Sequence, residues 1–287
     1  MRTLRCALPA ALLAATLSAC ASSTTPAASS ASTPMQSTPM QSASSMPTMS
    51  MSMPSGTGLA SSSDGFTLVA STTASSISFR IEDEMGMAVT SFQPDQTKLM
   101  HLYIVRSDLT GYQHVHPTMA ADGTWSAKLA TMQPGTYRAY ASFVTADSSG
   151  STVDLVLSSQ FTVPGTPSAA TPLPAAATST SVDGYTVTVS GELMSGMEHA
   201  LTATISKNGM PVTDLQPYLD TYAHLTAFHE GDMAFAHLHP QGTVNGDHGG
   251  PTLTFDATMA ASGNYRLFLQ FQTGGVLHTA AITVHVG

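Results

Sequence analysis

Residues 86–117 read GMAVTSFQPDQTKLMHLYIVRSDLTGYQHVHP, and residues 209–240 read GMPVTDLQPYLDTYAHLTAFHEGDMAFAHLHP. A constant shift, from position 86 to position 209, superimposes the two stretches without a gap. A repeat of this length indicates two copies of one domain. Histidines occupy three matched positions in each copy. They form a first triad of His101, His114 and His116, and a second triad of His224, His237 and His239.

The segments around this repeat alternate between apolar and polar residues over short runs. Residues 76–81 read SISFRI and residues 184–189 read GYTVTV, and period-two runs bounded by Gly, Pro and Asn predict strands. About seven such strands in roughly a hundred residues are typical of an immunoglobulin-like sandwich. Tyr137 and Tyr265 each open a late strand, as the tyrosine corner of such sandwiches does. The predicted fold is all-β, with two tandem immunoglobulin-like β-sandwich domains after a disordered tether.

Residues 1–19 have the pattern of a bacterial lipoprotein signal peptide. Arg2 and Arg5 precede an apolar stretch, and residues 17–20 (LSAC) resemble a lipobox, in which cleavage precedes the cysteine and that cysteine is lipidated. An ordinary secretory signal, cut near Ala19, is the alternative. The apolar stretch is shorter than the roughly 20 residues that a spanning helix needs. We therefore expect a lipid anchor at Cys20 and an extracytoplasmic location in the cell envelope.

Composition divides the rest of the chain. Residues 20–63 are almost entirely Ser, Thr, Ala, Pro, Met and Gly, and they lack the bulky apolar residues that offset the loss of chain entropy, so they predict the disordered tether. Residues 64–165 form the first predicted sandwich, residues 166–181 a linker rich in Pro and Ala, and residues 182–287 the second sandwich. The tether is rich in methionine, with Met35, Met40, Met46, Met49, Met51 and Met53.

Charge and cysteine content exclude several classes of protein. The formal net charge is −9, and loss of the two positive charges of Arg2 and Arg5 with the signal makes it −11. Such an acidic chain argues against nucleic acid and against a polybasic membrane patch, so the lipid anchor is the only membrane contact we expect. The two cysteines, Cys6 and Cys20, lie in the signal and at the lipidation point. Thiolate ligands, and with them a blue-copper site, are therefore excluded.

A hairpin between the matched histidines predicts their geometry. Both residues of a His-x-His pair point to one face of a strand, because side chains alternate. A tight turn after the first strand of each copy pairs His101 with His116 and His224 with His239. Directly opposed side chains have Cβ atoms roughly 4.5–5.5 Å apart. Each copy is thus predicted to carry its three histidines on one patch of one sheet face.

Copy two offers one more candidate ligand. His278 begins the last strand, and the matching position in copy one is Leu157. The last strands of such sandwiches lie beside the hairpin sheet, so His278 is expected to complete a four-nitrogen site with the second triad. The alternative for any single histidine is a packed, hydrogen-bonded position in a half-buried strand. Three others, His229, His248 and His285, are expected at the surface.

The donor set indicates which metals would fit. Three or four imidazoles without a thiolate accommodate copper(II), zinc or nickel. Thioethers are soft ligands that select copper(I), and methionines recur in the tether and near the histidines of copy one, at Met85, Met87 and Met100. The ligand set therefore favours copper, with zinc as the alternative metal.

The lipobox, the methionine-rich tether and the His-x-His hairpins together resemble bacterial envelope copper-handling lipoproteins, which place His and Met sites on immunoglobulin-like or cupredoxin-like sandwiches. The resemblance implies a lipid-anchored protein that binds copper and buffers it or delivers it to an envelope metal-transfer protein. The lack of a ligand cysteine separates it from the blue-copper members. Two other classes stay open: a structural or adhesive envelope protein without metal, and a copper-dependent redox enzyme. The sequence contains neither Gly-x-Ser-x-Gly nor His-Glu-x-x-His, two common catalytic motifs.

Overall fold

Antiparallel strands and turns make up the described part of the chain. The computed structural model describes residues 56–287, which lie within one compact unit. These residues contain no helix, so the all-β prediction is confirmed. None of the described residues therefore belongs to a helix that could cross a bilayer. The predicted signal peptide, Cys20 and the tether methionines lie outside the described residues.

The first sandwich consists of two sheets. Its strands are β1 (Ser62–Ser63), β2 (Phe66–Thr72), β3 (Ser76–Glu82), β4 (His101–Arg106), β5 (Gln113–Val115), β6 (Thr118–Met119), β7 (Trp125–Lys128), β8 (Gly135–Ala146) and β9 (Thr152–Val163). One sheet has the order β1-β2-β3-β7-β6, and the other has the order β5-β4-β8-β9. Alternation places Ile77, Phe79 and Ile81 of β3 in the core between them.

The second sandwich repeats this layout. Its strands are β10 (Ser179–Val182), β11 (Tyr185–Ser190), β12 (Glu198–Lys207), β13 (Met210–Pro211), β14 (Ala223–His229), β15 (Phe235–Pro240), β16 (Thr252–Thr258), β17 (Gly263–Thr273) and β18 (Val276–Val286). They form one continuous sheet in the order β10-β11-β12-β16-β15-β14-β17-β18, with β13 beside β12. β15 pairs with both β14 and β16, and in this way it joins the two halves of the sandwich.

Both predicted tyrosine corners are present. The hydroxyl of Tyr137 donates to the carbonyl of Gln133 at 2.9 Å, and that of Tyr265 donates to the carbonyl of Ala261 at 3.1 Å. Each bond spans four residues back along the chain, to the loop that precedes the strand. This equivalence supports the assignment of the two sandwiches to one fold.

Residues next to the sandwiches are ordered further than composition predicts. β1 begins at Ser62, two residues before the expected start of the first domain, and β10 begins at Ser179, inside the expected linker. The carbonyl of Thr57 accepts a hydrogen bond from the Phe235 amide at 2.8 Å. Backbone polar groups that reach a strand edge are paired there, and composition does not register such pairing.

Two strands are buried on both faces. Every side chain of β4 is buried, and so is every side chain of β14 except the last. Leu102 and Ile104 point into the first core, whereas Tyr103 and Val105 point away from it. These outward side chains meet the second sandwich in an apolar layer formed by Tyr103, Val105, Leu109, Tyr140, Val156, Phe228, Met233, Phe235 and Phe268. The two sandwiches therefore bury their histidine-bearing sheets against each other.

The linker is hydrogen-bonded to both sandwiches. Asp108, in the β4–β5 turn, accepts from the Thr171 amide at 2.9 Å. Farther along, the Ala177 amide donates to the carbonyl of Thr283 in β18 at 2.9 Å. The linker thus contributes fixed contacts to the arrangement in which the two sheets face each other.

The apolar layer makes a measurable contribution to stability. Phe228 is fully buried there, in ring contact with Tyr112, Tyr140, Phe235 and Phe268. Replacement of Phe228 by Ala should lower the free energy of unfolding in urea by about 3–5 kcal/mol, because it removes a buried ring and leaves a cavity.

Val276 provides the matched control for Phe228, since it is 56% exposed. Val276→Ala should change the free energy of unfolding by less than about 0.5 kcal/mol. Equal effects of the two substitutions would show that the layer between the sandwiches does not stabilise the fold.

Candidate metal centre

The two triads meet in one cluster. The rings of His114 and His224 stack with centroids 4.6 Å apart, and those of His101 and His224 stack at 5.4 Å. The sequence predicted one patch in each copy, and the structure brings the two patches face to face. The reason is the double burial of β4 and β14, whose outward faces carry the histidines and cover each other.

The predicted hairpin register is confirmed in both copies. Tyr103 pairs with His114 in the first hairpin, and Thr226 pairs with His237 in the second. Leu238, between the two histidines of its pair, is fully buried in the second core. Alternation therefore points His237 and His239 toward the first sandwich.

The first triad has the spacing of a metal site. One ring nitrogen from each of His101, His114 and His116 lies within 4.8 Å of the other two. The closest pair is Nδ1 of His101 and Nε2 of His114, 3.0 Å apart. Two imidazole ligands of a tetrahedral ion with bonds of 2.0–2.1 Å have nitrogens about 3.3 Å apart. These three residues could therefore hold a metal ion.

Hydrogen bonds at the far side of the first two rings fix which nitrogens are free. Nε2 of His101 lies 3.0 Å from the carbonyl of Asp95, which can only accept, so this nitrogen carries the proton. Nδ1 of His114 lies 2.7 Å from Oε1 of Gln270 and donates to it. In neutral rings the two nitrogens that face each other then both carry lone pairs. Two lone pairs at 3.0 Å repel unless a cation lies between them.

The second triad is more buried and has fewer partners. His224 and His237 have ring centroids 4.8 Å apart, and His237 and His239 have centroids 5.0 Å apart. Neither ring nitrogen of His237 or of His239 has a hydrogen-bond partner among the described residues. The hydroxyl of Tyr103 lies 2.8 Å from Nε2 of His224, which leaves Nδ1 of that ring without a partner.

Buried ring nitrogens without a hydrogen-bond partner destabilise a folded protein. With Nε2 of His116, the cluster contains six buried ring nitrogens without a partner. A buried polar group left unsatisfied costs about 1–3 kcal/mol. Nearly all buried polar groups in proteins are satisfied, so these six nitrogens are candidates for contact with water or with a bound ion.

Each sandwich orients a histidine of the other. Gln270 of β17 accepts the hydrogen bond from His114 of the first sandwich. Tyr103 of β4 contacts His224 of the second. Partners that hold the far nitrogen of a ligand histidine fix its tautomer and ring orientation. Neither Tyr103 nor Gln270 was predicted as a site residue from the sequence. One feature of the sequence could have indicated the contact between the sandwiches. β4 has apolar side chains on both of its faces, which is typical of a strand buried on two sides.

A strained turn precedes each histidine strand. Gln96 and Thr97 have φ of 42° and 70°, and the matched residues Leu219 and Asp220 have φ of 56° and 58°. Non-glycine residues, and β-branched ones above all, rarely adopt such angles. The first of these turns presents the Asp95 carbonyl to His101. Strain of this kind persists where the surrounding structure requires it, often at functional sites.

Burial keeps the rings neutral. It lowers the pKa of His101, His114, His224 and His237, and neighbouring histidines lower the pKa of the last three further. The pKa of His116 falls to about 4, through burial first and then the charges of His101 and Lys98. Neutral imidazoles have the free lone pairs that metal coordination requires.

His278 lies in a different part of the second sandwich. Its Nδ1 contacts Asp183 at 2.8 Å and its Nε2 contacts Thr273 at 3.0 Å, and its ring lies against Tyr185 and Phe271. The expected four-nitrogen site is therefore not formed in this structure. The strand register makes core Leu155 the counterpart of His278 in copy one, whereas the sequence alignment gave Leu157. This position faces the interior, whereas the triads face outward.

The other candidates are placed as follows. His248 and His285 are exposed, as predicted. His229 is partly buried, with Nδ1 2.7 Å from Asp232. Met100 belongs to the first core, while Met85 and Met87 are 83% and 60% exposed. The described ligand set is thus imidazole alone.

A cavity of about 310 Å³ lies beside His237. His237 lies on its wall with Gly56, Thr57, Phe235, Ala236, Thr258 and Ala260.

The stability of the metal-free protein should fall below the ordinary histidine pKa of about 6.5. Above that pH the rings are neutral in both states. Below it the unfolded chain binds protons that the buried rings do not, until the lowered folded-state pKa is reached, about 4 for His116. Each ring that stays neutral adds a slope of about 1.4 kcal/mol per pH unit.

Urea unfolding of chelator-treated protein at several pH values between about 7 and 5 measures this slope. His237→Asn removes one buried ring and should make the slope shallower. A free energy of unfolding that does not change over this range would contradict the buried, neutral state of the rings.

Three solved structures resemble the chain at low identity. A protein from Corynebacterium diphtheriae described as membrane-anchored is 11% identical, with a TM-score of 0.23, over 78% of this chain and 59% of that one. A DUF3823 family protein from Parabacteroides merdae is 15% identical, with a TM-score of 0.23, over 70% and 93%. MtrC from Shewanella baltica is 9% identical, with a TM-score of 0.23, over 77% and 68%. Likenesses this distant do not assign a function.

The curated proteins include no significant match to the sequence. One family model, described as "Domain of unknown function (DUF8832)", matches residues 61–160 and again residues 180–287. The two matches coincide with the two sandwiches and with the internal repeat. The chain therefore belongs to the DUF8832 family.

Proposed function

We propose that this protein is an extracytoplasmic metal-binding protein that holds copper at His101, His114 and His116 and buffers it or hands it on. The observation that carries the proposal is the 3.0 Å approach of two ring nitrogens whose protons are both committed elsewhere. A cation between them converts a repulsive contact into two bonds. Nε2 of His116 is unpartnered and completes a three-nitrogen set.

The rival function is a structural or adhesive envelope protein whose histidines only pack. Packed structural histidines are normally hydrogen-bonded, because an unpaired buried nitrogen destabilises the fold. His278 shows that pattern in this chain, since both of its nitrogens have partners. The triads show the opposite pattern, with six nitrogens unpartnered. This contrast within one molecule favours a ligand role for the triads.

Copper is preferred to zinc on the chemistry of the whole chain. Three imidazoles accept either metal. The methionine-rich segment that ends at Met53 offers soft thioethers, which favour copper(I). Met53 lies three residues before Gly56, which lines the cavity beside His237. A thioether segment that precedes Gly56 in the sequence suits a protein that receives or passes on copper.

Buffering or delivery fits the site better than redox catalysis on an organic substrate. The rings of His101, His224 and His237 are at most 3% exposed, so an ion reaches them more readily than a molecule. The expected partner is another envelope protein that exchanges the metal. The signal-like residues 1–19 and Cys20 support a lipid-anchored, extracytoplasmic location.

Metal content tests the proposal directly. Chain purified without a histidine tag should retain copper after dialysis, and His114→Ala with His116→Ala should lose it, because two of the three ligand nitrogens are removed. Elemental analysis and copper titration in competition with zinc measure both occupancy and preference.

The control for this experiment is His248→Ala with His285→Ala, which removes two exposed histidines and should keep full occupancy. Wild-type protein without metal, or equal loss in the two double variants, would contradict a site at the first triad. A preference for zinc would contradict the assignment of copper, but it would leave the metal site at the first triad standing.

The anchor has its own test. Cys20→Ser removes the thiol that a lipid would modify, so the full chain expressed in a bacterial host should move from the membrane fraction to the soluble extracytoplasmic fraction. Unchanged membrane association of the variant would contradict lipidation at this residue.

A further inference from the structure

Gln270 belongs to the second sandwich but contacts a histidine of the first. It lies on the outward face of β17, since Leu269 and Phe271 on either side of it belong to the second core. Gln270 is only 4% exposed, and its Oε1 lies 2.7 Å from Nδ1 of His114. The contact therefore crosses between the sandwiches and ends on a ring of the first triad.

We infer that Gln270 keeps the first triad open to metal by holding the proton of His114 on Nδ1. The second sandwich thereby completes a site whose three ligands, His101, His114 and His116, all belong to the first. The inference rests on the proposed function, because it assigns a role in metal binding at that triad. Gln270 is a positioning residue, since it acts on the metal through the ring of His114.

The position of one proton decides whether the site is open. Nδ1 of His101 carries a lone pair, because Nε2 of that ring donates to the Asp95 carbonyl. Nε2 of His114 lies 3.0 Å from that lone pair. With the proton of His114 on Nδ1, both facing nitrogens have lone pairs and are available to an ion. With the proton on Nε2, the same two nitrogens form a hydrogen bond with each other, and neither is free to coordinate.

Gln270 is held in the orientation that selects the open form. Its Nε2 donates to Oγ1 of Thr279 at 3.3 Å, on the neighbouring strand β18. This bond turns the amide so that its oxygen, which can only accept, faces His114. An acceptor at that position requires the ring proton on Nδ1, because the partner of the far nitrogen sets the tautomer of a ligand histidine.

The repeat offers an internal comparison. Ser142 of β8 is the counterpart of Gln270, because each pairs with the first histidine of the adjacent strand. Ser142 is also buried, but its side chain ends at Oγ and reaches less far. The counterpart of His114 is His237, and neither of its ring nitrogens has a partner among the described residues. The long acceptor thus reaches the histidine of the triad whose three nitrogens converge.

Copper titration of the full chain measures the effect of the acceptor. Gln270→Leu keeps a side chain of similar bulk but removes the acceptor, and it should weaken copper binding by about ten- to a hundredfold. Gln270→Glu restores an acceptor and should bind copper at least as tightly as wild type. Ser142→Ala, at the counterpart position, should leave the affinity unchanged.

Two results of this titration would overturn the inference. One is wild-type affinity in Gln270→Leu. The other is equal weakening in Gln270→Leu and Gln270→Glu, because it would assign the loss to packing and not to the acceptor.

Nitrogen-15 NMR of the metal-free chain determines the tautomer without copper, because a protonated ring nitrogen and one with a lone pair differ in chemical shift. The signals of His114 are assigned by their loss in His114→Ala. Wild type should carry the proton on Nδ1, and Gln270→Leu should carry it on Nε2. An unchanged tautomer in Gln270→Leu would indicate a merely structural role. A proton on Nε2 in wild type would overturn the inference by itself, even if Gln270→Leu did not fold.

The two measurements separate this inference from the function on which it rests. If wild type binds copper and Gln270→Leu binds it equally well, the proposed function holds and the inference fails. If wild type binds no copper, the proposed function fails, and the role of Gln270 in metal binding fails with it, whatever the tautomer of His114.

Discussion

The arrangement depends on the mutual burial of β4 and β14. Each strand is apolar on both faces, so one face fills its own sandwich and the other must be covered. The outward face of each strand is covered by the other sandwich. Because the repeat is in register, the same surfaces that carry Tyr103 and Phe228 also carry the histidines, and packing the apolar layer forces six imidazoles into one place.

Burying these rings together costs free energy, because their nitrogens lose contact with water, and hydrogen bonds within the protein offset that cost only in part. Hydrogen bonds across the interface, from His114 to Gln270 and between Tyr103 and His224, satisfy one nitrogen of His114 and one of His224. Nε2 of His114 faces Nδ1 of His101 at 3.0 Å, and both nitrogens of His237 and of His239 are without a partner among the described residues. A core designed only for stability would replace such groups by apolar side chains of similar size. Their presence, with the strained turn at Gln96 and Thr97 behind His101, is what connects the fold to the proposed metal site.

Local sequence patterns predicted the strand pairing within each hairpin, but they did not predict that the two copies pack against each other. Side-chain alternation and turn position gave the pairing of Tyr103 with His114 and of Thr226 with His237, because register follows from period and loop length. The meeting of the two copies depends on tertiary packing, which no spacing encodes. The same holds for Gln270, a polar residue that is unremarked in its own strand. His278 was assigned to the site from strand adjacency alone, although its match to core Leu157 already indicated the inner face.

The proposed metal site lies among His101, His114 and His116, on the face of the first sandwich that the second sandwich covers. Anomalous diffraction from a crystal of the copper-loaded chain, recorded on both sides of the copper absorption edge, tests it most directly. A copper ion held there should give one peak among His101, His114 and His116. Peaks confined to exposed histidines such as His248 and His285, or no peak between the sandwiches, would contradict it.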